Sequence, residues 1–213
     1  MPLSNRDKAI IRDLNKFRVM DRDSIVEIHF AGVKNPITGA NTVLLRLLRD
    51  GQIQRSVHFQ PFVYFGAESQ IKKQSQKIGH FLAILNVYKE MRKLGRLETF
   101  LVEPKYGSKG VAEPDIFAMY RNTGFFIEVQ KTLYSEKQMS EKLQRYVDLY
   151  NSGIMTKPFP HILILSDQRY AIDGDYPFKI FQAESFAQFS QSLTQPKPVS
   201  RPLETGGIRA IVT

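Results

Sequence analysis

Two short runs rich in apolar residues flank Asn122-Thr123-Gly124, and this arrangement constrains the fold more than any other feature of the chain. Asp115–Arg121 and Gly124–Val129 read as strands, and the Asn-Thr-Gly segment between them reads as a tight hairpin turn. A third strand signal, Leu97–Val102, comes before the pair. A long helix is expected over Gln70–Leu94, with Ile78, Phe81, Leu82 and Leu85 as its apolar stripe and Gly95 past its end. After the hairpin, Glu136–Tyr150 has helical periodicity, with Met139, Leu143, Tyr146 and Val147 inward. His161–Ser166 is a continuous apolar run, as expected of a strand covered on both faces. Phe178–Phe181 and a helix over Glu184–Leu193 complete residues 67–194, whose leading order is αβββαβ. Residues 195–213 lack periodicity and are expected to form a flexible tail.

Residues 1–66 have a different pattern. Ser4 followed by Asp7 is an acidic capping box, and Ile10, Leu14 and Phe17 then recur on one helical face. Asp21 and Asp23 open a short second helix that buries Ile25 and Ile28. Gly32 to Pro36 stops it, and a third helix follows over about Thr38–Arg49, with Leu44, Leu47 and Leu48 inward. Gln52–Phe59 alternates, with Ile53, Val57 and Phe59 on one side, and Phe62-Val63-Tyr64 can pair back across Gln60-Pro61. Three helices and a hairpin in this order predict a winged helix-turn-helix, in which the third helix enters the major groove. The candidate DNA contacts are Asn41, Thr42, Arg46 and Arg49 on that helix, with Lys34 and Arg55 on the flanking turn and wing. The alternative is a winged helix used for protein contacts, with its arginines solvated.

Charge favours a polyanionic partner. The chain has 30 basic and 21 acidic residues, a formal net charge of +9, and such a field gains from releasing counterions condensed on phosphate backbones. The first 66 residues hold 10 basic and 6 acidic residues and residues 67–150 hold 14 and 10, so the excess is not a single basic tail. There is no cysteine, which excludes disulfides, cysteine zinc sites and thiol nucleophiles and fits a cytoplasmic location. The first twenty residues carry charges in place of an apolar signal segment, and no run reaches membrane-spanning length, so no membrane partner is expected. His29, His58, His80 and His161 show no metal-ligand spacing, and no phosphate-binding G-x-x-x-x-G-K-[ST] loop occurs. His80 reads as a helix-face or interface residue rather than a ligand.

The chemistry concentrates at the hairpin ends. Glu113-Pro114-Asp115 opens one strand and Glu128-Val129-Gln130 closes the next, so Asp115 and Glu128 fall at the same end of the pair. Two converging carboxylates can hold Mg²⁺ or Mn²⁺, which would help generate hydroxide and stabilise charge on a scissile phosphate. Strand alternation puts Glu128 and Gln130 on one face. Pro114-Asp115 with Glu128-x-Gln130 in an αβββαβ frame resembles the PD-(D/E)xK nuclease superfamily, with Gln130 where a lysine usually stands. From Leu3 to about Ser166 the chain also resembles the replication-relaxation family of plasmids and mobile elements. The resemblance rests on Asn5–Ile10, Leu44–Gly51, the His80-bearing helix, Glu113-Pro114-Asp115 and Phe126–Val129.

That resemblance implies an α/β chain in which a winged helix (1–66) is fused to a restriction-endonuclease-like domain (67–194). It implies a metal-dependent endodeoxyribonuclease acting on double-stranded DNA in plasmid replication or DNA relaxation. Asp115, Glu128 and the Val129 carbonyl would be metal ligands, and Gln130 would orient water or phosphate. Because glutamine cannot supply the missing positive charge, Lys137, Lys142 or Lys105 is a candidate substitute. Glu103 is a candidate third carboxylate, and the loop Lys105–Ala112 a candidate phosphate contact. The competing reading is an accessory replication or relaxosome factor that binds DNA and cuts nothing. A third is a regulator that uses the second domain to form a homodimer.

Overall fold

The computed structural model describes residues 2–107 and 110–194; the expected tail lies outside the described residues. The chain is mixed α/β, with helices packed on two separate sheets. Helix α1 (Asn5–Phe17) starts as its sequence predicts: the Asp7 N–H donates to Ser4 Oγ at 3.2 Å and the Ser4 N–H to Asp7 Oδ2 at 2.8 Å. Its Ile10, Leu14 and Phe17 are fully buried. Strand β1 (Met20–Asp21), helices α2 (Arg22–His29) and α3 (Pro36–Arg49), and strands β2 (Ile53–Ser56) and β3 (Val63–Gly66) follow. The three strands form an antiparallel sheet in the order β1-β3-β2. Strand β1 is too short to carry a sequence signal. The expected first wing strand stops at Ser56, whose buried hydroxyl donates to the Lys73 carbonyl, and Val57 beyond it is exposed rather than inward.

The second sheet has the order β4-β5-β6-β7-β8, from Leu97–Val102, Ile116–Tyr120, Thr123–Val129, His161–Leu165 and Ile180–Ala183. The first three strands are antiparallel, and β6, β7 and β8 are parallel. Helices α4 (Lys77–Leu94) and α6 (Phe186–Thr194) cover one face, and α5 (Glu136–Asn151), which links β6 to β7, covers the other. Residues 70–76, expected to be helical, form turns instead. Ser69 and Ser75 hydroxyls accept from the Ile71 and Lys77 N–H groups, local bonds that compete with a helix. The last strand begins two residues later than expected, because Phe178 leaves the sheet to pack with Tyr146 and Phe159. No helix among the described residues is long and apolar enough to cross a membrane.

Apolar packing continues from the first sheet's helices into the second. Phe17 of α1 lies 4.8 Å from Tyr88 of α4 and 6.1 Å from Phe100 of β4, measured between ring centroids, and the Lys16 ammonium sits over all three rings. Lys89 of α4 reaches back to Glu27 at 2.9 Å and to the Ser24 hydroxyl at 3.2 Å.

Candidate active site

The β5–β6 hairpin pairs Ile116 with Ile127, so the next residues outward, Asp115 and Glu128, lie across from each other at the open end. In β6, Phe126 and Glu128 face α5, while Ile127 and Val129 face α4. Helix α5 meets Glu128 with two residues one turn apart. Ser135 and Gln138 form a capping box that sets its first turn. From that start, Lys142 and Tyr146 share the face toward β6. The Tyr146 hydroxyl donates to Glu128 Oε1, and Lys142 Nζ lies 2.6 Å from Glu128 Oε2. This second contact is a short ion pair, so both Glu128 oxygens are engaged by α5.

Glu128 is 2% exposed. Burial pushes its carboxyl up to about 7, against the downward pull of Lys142. Burial also works to lower Lys142, but the Glu128 charge and contact outweigh it and hold the ammonium above the ordinary lysine value. Tyr146 is raised well above its ordinary value, first by burial and then by the Glu128 charge, so its hydroxyl keeps the proton it donates to Glu128. Asp115 accepts from the Val129 N–H through Oδ2 at 2.8 Å, and its Oδ1 lies 3.1 Å from His80 Nε2 on α4. Burial favours the protonated form of Asp115. The hydrogen bond and charge of His80, with Lys142 and Val129, overcome this and hold Asp115 below the usual carboxylate value. His80 is correspondingly raised, chiefly by its hydrogen bond to Asp115.

A cleft of about 670 Å³ opens beside Glu128, lined among others by Glu113, Tyr134, Lys142, Arg145 and Tyr146. Gln130 does not join it. Strand β6 ends at Val129, so strict alternation does not extend to residue 130. The Gln130 amide donates to the Thr132 carbonyl at 3.0 Å, and the residue lines a separate crevice with Asn86, Glu90 and Ser166. Of the three lysines considered, Lys105 and Lys137 are exposed and Lys142 is the one at Glu128. Glu103 lies 4.0 Å from Arg18. No group of three or more His, Asp or Glu residues forms a metal cage among the described residues. The donor set still suits a hard divalent cation in its chemistry, because it consists of two carboxylates, with Lys142 having to give way at Glu128 Oε2.

The candidate DNA contacts divide into engaged and available groups. Arg46 Nη2 is bound to Asp7 Oδ1 at 2.7 Å, and the Asp7 side chain is 2% exposed, so this guanidinium secures α1. Arg49 lies 3.1 Å from the exposed Asp50, and Arg55 stacks 4.7 Å over the Phe62 ring. Thr42 is exposed with its hydroxyl donating to the Thr38 carbonyl, Asn41 is half-buried, and Lys34 is exposed on the turn before α3. Sequence reasoning missed Tyr146 as a site residue, having assigned it to the core, and read His80 as a helix-face or interface residue. The i, i+4 spacing of Lys142 and Tyr146 was the available signal for the first; nothing local signals the second. Comparison with family models, curated proteins and solved structures finds no match to this chain.

Proposed function

We propose that the chain is a DNA-binding protein of a mobile genetic element whose second half cleaves phosphodiester bonds with a divalent metal, in plasmid replication or DNA relaxation. The observation that carries this reading is the approach of Lys142 to Glu128 beside Asp115, which supplies the cationic group that Gln130 lacks. The α-β-α-α-β-β order with sheet order β1-β3-β2 supports a winged helix in residues 1–66. The run from α4 to β7 supports a PD-(D/E)xK-like frame.

Asp115, Glu128 and the Val129 carbonyl would hold Mg²⁺ or Mn²⁺, which would supply charge stabilisation at the scissile phosphate. His80 and the Val129 N–H orient Asp115, and Tyr146 orients Glu128. Lys142 stays protonated and works as a fixed positive charge for a phosphate oxygen, not as a base. A second reading, DNA binding without cleavage, is favoured by one observation: each carboxylate already has a basic neighbour, Lys142 or His80. Incubation of supercoiled plasmid with Mg²⁺ or Mn²⁺ separates the two. Nicking abolished by EDTA, Asp115→Ala and Glu128→Ala, with DNA affinity retained, supports cleavage. Intact plasmid with salt-sensitive binding supports the second reading.

A further inference from the structure

We infer that the outward face of α3 reads A·T-rich duplex DNA through thymine methyl groups; this rests on the DNA-binding reading above and narrows its target. The face is unusual for a helix expected to meet a polyanion. Its centre carries Thr38, Thr42 and Leu45, with Asn41 beside them, Ile37 in the first turn and Arg49 only in the last. Leu45 is 57% exposed and Ile37 51% exposed.

Base-edge chemistry discriminates among the partners such a face can take. Guanine is read best by a bidentate arginine or lysine, adenine by asparagine or glutamine, and the thymine methyl by apolar contact. Arg46, one turn beyond Thr42 at the edge of the face, is held by the buried Asp7 carboxylate. Thr42 has its hydroxyl donor engaged inside the helix, so outward it offers its methyl group and an acceptor but no donor. Arg49 lies in the last turn, paired with Asp50; along the rest of the face the groups for base edges are two aliphatic side chains, two threonines and one amide, a set matched to A·T pairs.

Charge complementarity favours DNA over a protein as the occupant. Lys34 stands just before the helix and Arg49 at its end, and Arg55 lies on the neighbouring strand. The apolar strip is thus bracketed by cations suited to phosphates, in a chain with net charge +9.

The test is selection of bound sequences from a randomised duplex pool by the full chain. It is followed by titration of the recovered site with thymine or uracil on each strand, for wild type and Leu45→Ser. Leu45 is exposed, so the variant keeps its core. The expected result is enrichment of A·T pairs, a loss of affinity of about fourfold per contacted methyl when uracil replaces thymine, and little uracil effect in Leu45→Ser. Enrichment of G·C pairs, or A·T enrichment indifferent to uracil in both proteins, overturns the inference. Binding without sequence enrichment overturns it while leaving the DNA-binding reading standing; no binding to any duplex overturns both. Self-association of wild type that Leu45→Ser removes, without sequence enrichment, would assign the strip to a second copy of the chain and also overturn it.

Discussion

Replacing Lys142 by Met should change how stability depends on pH, and the structure sets both sign and size. In the native protein Glu128 titrates near 7, above its unfolded value of 4.5, because it is buried. A raised carboxyl contributes stability that is complete below the unfolded value and lost as pH climbs to the folded one. Two and a half pH units at about 1.4 kcal/mol each make that loss about 3 kcal/mol, complete by about pH 7. Above it, Glu128 is ionised in both states and its contribution is level. Without the ammonium, desolvation is no longer opposed and the folded value moves higher. The loss then continues above pH 7 until the new folded value is reached, so the gap between wild type and Lys142→Met widens above pH 7 by about 1.4 kcal/mol for each unit by which that value exceeds 7. Urea unfolding of both proteins across that range measures it. A constant gap would refute the reasoning, because it would mean that Lys142 does not control the ionisation of Glu128.

Three further changes test other parts of the structure. Arg46→Ala leaves the buried Asp7 carboxylate without its guanidinium and should cost about 2–3 kcal/mol in urea unfolding; a loss of DNA affinity with unchanged stability would instead make Arg46 a direct DNA contact. Phe17→Ala empties the junction against Tyr88 and Phe100 and should cost about 3–5 kcal/mol. Hydrogen exchange should show helices on both sides of that junction losing protection together, whereas loss confined to α1 to α3 would mean that the two sheets fold independently. Tyr146→Phe removes the directed donor to Glu128 and should destabilise by about 1–3 kcal/mol at neutral pH, read by thermal or urea unfolding.

Much of the fold was legible because local signals and tertiary packing agreed. Ser4 marks a true helix start, the helix expected from Glu136 begins there, and Leu97–Val102 is observed with the bounds its residues predict. The hairpin was legible for the same reason, and with it the meeting of Asp115 and Glu128, but its turn is Arg121-Asn122, both at positive φ, and Thr123 and Gly124 already pair with Tyr120 and Met119 in the strand. What escaped depends either on local side-chain bonds to the backbone or on partners distant in sequence. Residues 70–76 are apolar and polar in an order that suits a helix, but serine hydroxyls tie the backbone into turns. Gln130 follows the pleat on paper, yet the strand ends one residue before it. Arg46 is an exposed-looking arginine until Asp7, 39 residues earlier, is seen to hold it. The link between His80 and Asp115 spans 35 residues and arises only when α4 packs on the sheet.

The central claim is that Lys142, and not Gln130, provides the polar group that works with Asp115 and Glu128 on a scissile phosphate. Its most direct test compares metal-dependent plasmid cleavage by wild type, Gln130→Ala and Lys142→Met at equal DNA occupancy. Cleavage by Gln130→Ala should stay within a few-fold of wild type. Lys142→Met should fall by about a hundredfold or more, as expected on removing a preorganised charge from the reacting centre. The reverse order, with Gln130→Ala inactive and Lys142→Met active, would contradict the account.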